Sequence, residues 1–67
     1  MTDSQIGQNL KKSRKKLGLT QVEVAEKAEI NINYYARLER GEVTASLKTL
    51  KTLLKILKVK SKDILPF

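Results

Sequence analysis

LTQVEVAEKAEININYYARLERG, residues 19–41, holds two short helical patterns with almost nothing between them. Thr20 is followed three residues on by Glu23, the spacing of a capping box, so a helix starts at Gln21. Val24, Ala25 and Ala28 recur at helical intervals and form its apolar side. Asn31 is a natural N-cap for a second helix running from Ile32 to Arg40, and Gly41 stops it. Only Glu29–Asn31 separate the two. Small Ala25 and Ala28 let the second helix cross close to the first at a steep angle, which is what a helix-turn-helix requires.

The flanks are helical as well. Upstream, a helix is expected from Asp3 or Ser4 to Lys16, with Ile6, Leu10 and Leu17 on one face and Gly18 as its stop. Downstream, Ser46 caps a helix in which Leu47, Leu50, Leu53, Leu54 and Leu57 share an arc of about 120°. The tail holds one more expected turn around Asp63–Leu65, capped by Lys60 or Ser61 and ended by Pro66. Strand alternation never lasts four residues, and repeats, linkers and low-complexity segments are lacking. The expectation is one compact all-α domain over residues 1–67, with five helices and the helix-turn-helix at about 20–40.

Composition narrows the function. The 67 residues contain no histidine and no cysteine, which removes the commonest general base, metal ligand and thiol chemistry. No metal site, cofactor or small-molecule ligand is indicated, and with no close carboxylate constellation or Gly-rich phosphate loop an enzyme is the least favoured class. The absence of thiols suits a reducing, cytoplasmic setting. No apolar run approaches a membrane span, and the N-terminus is not a signal peptide. Fourteen Lys and Arg against seven Asp and Glu give a net charge of +7. That balance suits a polyanionic partner, nucleic acid ahead of an anionic membrane surface, although solubility alone would also account for it.

The leading LTQ, Ala25, the apolar set Val24, Ala28, Ile30, Tyr35 and Leu38, and the closing LERG resemble the lambda-repressor-like (Cro/repressor, XRE-type) helix-turn-helix family. The likeness runs from IGQNLKKSRKKLGLTQ at 6–21 through SLKTLKTLLKILKV at 46–59. It departs at two places: Glu29 in the turn and Lys58 after the fourth helix stand where the family usually has glycine. The resemblance implies a sequence-specific regulator of transcription that binds double-stranded DNA in the major groove. A repressor or autoregulator acting as a homodimer on an inverted-repeat operator is the form expected. The alternative is a protein-interaction module of the same fold, antitoxin-like or part of a larger assembly. With no second domain to sense a ligand, control is expected from the protein's own concentration, a partner or operator arrangement.

A helical wheel sorts residues 32–40. Tyr35, Leu38 and Glu39 share the inward arc of Ile32, while Asn33, Ala36, Arg37 and Arg40 fall opposite. Asn33 and Arg37 lie one turn apart beside small Ala36, as a major-groove reader needs: Asn pairs bidentately with adenine and Arg with guanine. The bland alternative is a solvated face. From the resemblance, base contacts fall to Ile32 (a thymine methyl), Asn33 and Arg37, and phosphate contacts to Gln21, at the dipole end of its helix, and to Tyr34, for which core contact is the rival. Arg40 and the loop residues Thr44 and Ser46 complete the expected phosphate set, and Glu42 is expected to point away. Glu39 and Arg14 are charges on inward faces, and an ion pair between them is expected, as the family carries. On the helix 47–57, Ile56 exceeds what the core needs; with Val59, Ile64 and Phe67 it is the candidate dimer contact. The stripe Lys48, Lys51, Lys55 and Lys58 reads most simply as a solubilising face.

Overall fold

The computed structural model describes residues 3–58. Among these are four helices: α1 (Asp3–Lys16), α2 (Gln21–Ala28), α3 (Ile32–Glu39) and α4 (Leu47–Leu57). The turn expected around Asp63–Leu65 lies outside the described residues, so the five-helix count is replaced here by four.

Each of α2, α3 and α4 begins on a side chain that supplies the missing acceptor. Thr20 Oγ1 accepts from the Glu23 N–H at 3.1 Å, and the Thr20 N–H donates to Glu23 Oε1 at 2.9 Å. Asn31 Oδ1 accepts from the Asn33 N–H at 2.7 Å, and Ser46 Oγ accepts from the Thr49 N–H at 3.1 Å. The hydrogen bond from the Thr20 backbone holds the Glu23 carboxyl below its ordinary pKa.

The helix ends share one device. The residue after α2 and α4, and the second residue after α1 and α3, is left-handed: Glu29 (φ 57°), Lys58 (55°), Gly18 (71°) and Gly41 (74°). After α1, α2 and α3 the next N–H reaches back across the turn, Leu19 to Arg14 O (3.1 Å), Ile30 to Ala25 O (3.0 Å) and Glu42 to Arg37 O (3.0 Å). These are Schellman closures, which satisfy carbonyls the helix leaves unpaired. Glycine enters this conformation freely, so Glu29 and Lys58 adopt it at a steric cost.

The buried core is Leu10, Val24, Ala25, Tyr35, Leu38, Leu53 and Leu57, drawn from all four helices. Ile6, Ala28, Ile30 and Leu54 pack around it, partly buried. Two leucines expected inside are exposed. Leu17 is 41 % exposed because α1 has already ended at Lys16 and the chain is turning at Gly18. Leu47 is 66 % exposed because it opens α4, where no neighbouring element covers the arc it shares with Leu53 and Leu57. Leu50 is half-buried.

Gly7 sets how α1 meets α3. A Cβ added there would sit 2.4 Å from the Leu38 carbonyl oxygen and 2.6 Å from that of Glu39. Only a bare backbone permits this crossing, and no periodicity in the sequence announces it. Gly41 makes a second such contact: its Cβ would lie 2.5 Å from Ser4 Cα. The loop leaving α3 is thereby seated on the start of α1.

Candidate nucleic-acid interface

A buried polar network holds α1, α2 and α3 in register. Arg14 Nε donates to Glu39 Oε2 at 2.7 Å and Nη2 donates to Glu39 Oε1 at 3.1 Å, a bidentate pair with little of either side chain exposed. Arg14 Nη1 donates to the Leu19 carbonyl at 2.9 Å, and Gln21 Nε2 donates to Glu39 Oε1 at 2.9 Å. The two residues flanking the Thr20 cap are therefore tied to the same charges. Burial alone would raise the Glu39 carboxyl; the hydrogen bonds from Arg14 and Gln21 outweigh it and hold the carboxyl below the usual range. The Glu39 hydrogen bond correspondingly raises Arg14. Beside the pair lies the Tyr35 hydroxyl, fully buried and without a hydrogen bond of good geometry. Burial, then the neighbouring Glu39 charge, pushes its pKa far up, so the phenol stays neutral.

This network bears on one expectation. The Gln21 side-chain amide, assigned to a phosphate, is turned inward onto Glu39, because a buried carboxylate oxygen outcompetes water for a nearby amide donor. What α2 offers an anion at its first turn is backbone N–H groups and the helix dipole.

The outward face of α3 carries Asn33, Arg37 and, at its end, Arg40, all exposed, with Ala36 half-buried among them. Ile32 and Tyr34 are partly buried and pack against the core, which leaves each only an edge for an outside contact. On the loop, Thr44 is exposed. Ser46 is exposed too, but its hydroxyl is committed to its helix: besides accepting the Thr49 N–H it donates to Thr49 Oγ1 at 3.0 Å. Ser46 is thus the cap that the sequence indicates.

Glu42 does not point away. Its Oε2 accepts from Arg40 Nε at 2.5 Å, and its Oε1 lies 3.5 Å from Arg37 Nε. The hydrogen bond from Arg40 holds the Glu42 carboxyl below its ordinary value, and Arg40 is raised in return. Two cations on the last turn of α3 attract the first carboxylate after the Gly41 closure. The available signal in the sequence was the pair of arginines just before a glycine that folds the chain back.

Elsewhere, Ile56 is partly buried against the core, so less of it faces outward than the dimer assignment supposed. Val59, Ile64 and Phe67 lie outside the described residues. Lys48, Lys51, Lys55 and Lys58 are all exposed. Among the described residues no acidic cluster could hold a metal ion, and no helix is long and apolar enough to cross a membrane.

A pair of short helices joined by a tight turn, with polar tips on the outer face of the second, defines a helix-turn-helix domain. The chain belongs to the helix-turn-helix family, which matches residues 10–64. Over 48 residues, 72 % of this chain, it is 44 % identical to the immunity repressor protein of Bacillus phage phi105, of whose length the match spans 33 %. Among solved structures it is similar to the restriction-modification controller protein C.AhdI from Aeromonas hydrophila. That likeness has a TM-score of 0.88 and 26 % identity, covering 92 % of this chain and 94 % of the other. It is also similar to the clp gene regulator ClgR from Corynebacterium glutamicum, with a TM-score of 0.93 and 27 % identity over 98 % of this chain and 70 % of the other. These neighbours are controllers, regulators or repressors, not enzymes, in agreement with the class the composition disfavoured.

Proposed function

We propose that the chain is a sequence-specific regulator of transcription that binds double-stranded DNA by laying α3 in the major groove. The observation that carries this is the outward face of Asn33, Arg37 and Arg40 on a helix whose inward face is locked by the Arg14–Glu39–Gln21 network. Rigid support beneath exposed polar tips is what discrimination between base edges demands. The net charge of +7 supplies long-range attraction to phosphate, and the repressor and controller proteins to which the chain is similar support the same reading. Repression or autoregulation in the cytoplasm is the expected role. One such domain offers few base contacts, so binding is as a homodimer to an inverted repeat with half-sites ~34 Å apart, one helical turn.

Selection of binding sites from a random duplex pool tests the proposal. Arg37→Ala should cost roughly 1–3 kcal/mol on the best site and relax preference at one base pair per half-site. Asn33→Ala should act similarly at a neighbouring pair, whereas Lys12→Ala should weaken all duplexes alike. If Arg37→Ala selects the parent's consensus, α3 is not the reader. Sedimentation on the selected duplex checks the stoichiometry, and a single copy per inverted repeat would refute the dimer.

A further inference from the structure

A carboxylate on the rim of a phosphate-seeking surface is unfavourable unless it has a task. Glu42 is fixed there by the backbone: its N–H is bonded to Arg37 O at 3.0 Å, and the preceding Gly41 N–H to Leu38 O at 3.1 Å. Gly41 is itself pressed onto Ser4. The side chain therefore leaves the loop from a set position, one that brings it to both Arg40 and Arg37. Each contact is at Nε, the nitrogen nearest the stem. Arg37, Arg40 and Glu42 side chains are 55 %, 57 % and 46 % exposed. Ion pairs so wet add little to stability and open easily. The contact therefore adds little to the fold.

We infer that Glu42 is a specificity-determining residue, a built-in anion that occupies Arg37 and Arg40 in the free chain and withholds their charge from phosphates of arbitrary sequence. The inference rests on the DNA-binding reading above. With Glu42 in place the three side chains present a net charge of one instead of two, which weakens sequence-independent attraction. Glu42 stands 3.5 Å from Arg37 Nε, close enough to offset its charge, and guanine O6 and N7 offer Arg37 a replacement contact that only the right sequence provides. Glu42 is a positioning residue: it works through the arginines and touches no base.

The test uses the full chain, its Glu42→Gln variant, an Arg37→Ala/Arg40→Ala variant and the triple combination. Each is titrated at several salt concentrations with a random-sequence duplex and with the best duplex from the selection. Glu42→Gln should bind the random duplex several-fold tighter, with a salt slope steeper by about one. It should gain less on the selected duplex, so that the ratio of the two affinities falls. Without the two arginines, Glu42→Gln should have little effect on random-duplex binding. A Glu42→Gln variant that shifts both duplexes by one factor, or that gains as much without the arginines as with them, would show a bulk charge only and overturn the inference. A parent that binds neither duplex defeats the DNA-binding reading itself, an outcome distinct from these.

Discussion

Arg14 and Glu39, 25 positions apart, meet edge to edge, with Nε on Oε2 at 2.7 Å and Nη2 on Oε1 at 3.1 Å. The contact joins the end of α1 to the end of α3, and Gln21 and the Leu19 carbonyl bring α2 into the same arrangement. Such a pair contributes orientation more than net stability, since desolvation offsets much of its attraction.

Removing one partner is another matter. Glu39→Ala strands the Arg14 guanidinium in a site where it is 9 % exposed, and should cost roughly 3–5 kcal/mol. Glu42→Ala removes only wet contacts and should leave the melting temperature nearly unchanged. Thermal unfolding of both variants checks this; equal melting temperatures would contradict it.

The same pair predicts an acid limb. The Glu39 carboxyl titrates lower in the folded chain than in the unfolded one. Its contribution is therefore complete above the unfolded value, about 4.3, and is lost as the pH falls through the folded value. The parent's melting temperature should drop steeply below about pH 4.3. Glu39→Gln should start lower and fall less over the same interval, because Glu23 and Glu42 titrate in both proteins. Parallel curves would mean that Glu39 is not the dominant group.

Left-handed Glu29 and Lys58 are sites for gain. Glu29→Gly and Lys58→Gly should each raise stability by about 1 kcal/mol through relief of the backbone. Glu29→Ala, which keeps a Cβ, should not. Urea midpoints distinguish them, and an alanine variant as stable as the glycine one would show that backbone conformation is not the cause.

Gly7 should be intolerant. A methyl 2.4 Å from the Leu38 carbonyl oxygen forces α1 away from α3, and Gly7→Ala should destabilise by about 1–3 kcal/mol, the usual range for overpacking, or more. The displacement would lengthen the Arg14–Glu39 contact, so the acid limb should flatten as well. A variant with parental stability and acid response would contradict the close crossing.

What the sequence disclosed and what it withheld follow a physical boundary. The caps at Thr20, Asn31 and Ser46 and the stops at Gly18 and Gly41 depend on residues within one turn, and they were legible. Arg14 and Glu39 were legible as inward charges on two amphipathic wheels, although their geometry was not. Gln21 turning onto Glu39 and Glu42 turning onto two arginines depend on where the backbone delivers a side chain after a closure, which periodicity does not encode. Leu17 and Leu47 show the converse limit: a wheel gives a direction, but at a helix terminus nothing need lie in that direction.

Helices α2 and α3 have eight residues each, shorter than the ~12–15 at which an isolated helix becomes even marginal in water. The outward face of α3 therefore depends on the bundle that supports it. A duplex that binds only the folded form, at a hundred times its Kd, deepens stability by about 2.7 kcal/mol. Proteases that cut the opened chain sample its population. On the proposed function, free copies should thus be cleared faster than copies on an operator, and turnover in the cell becomes a readout of occupancy.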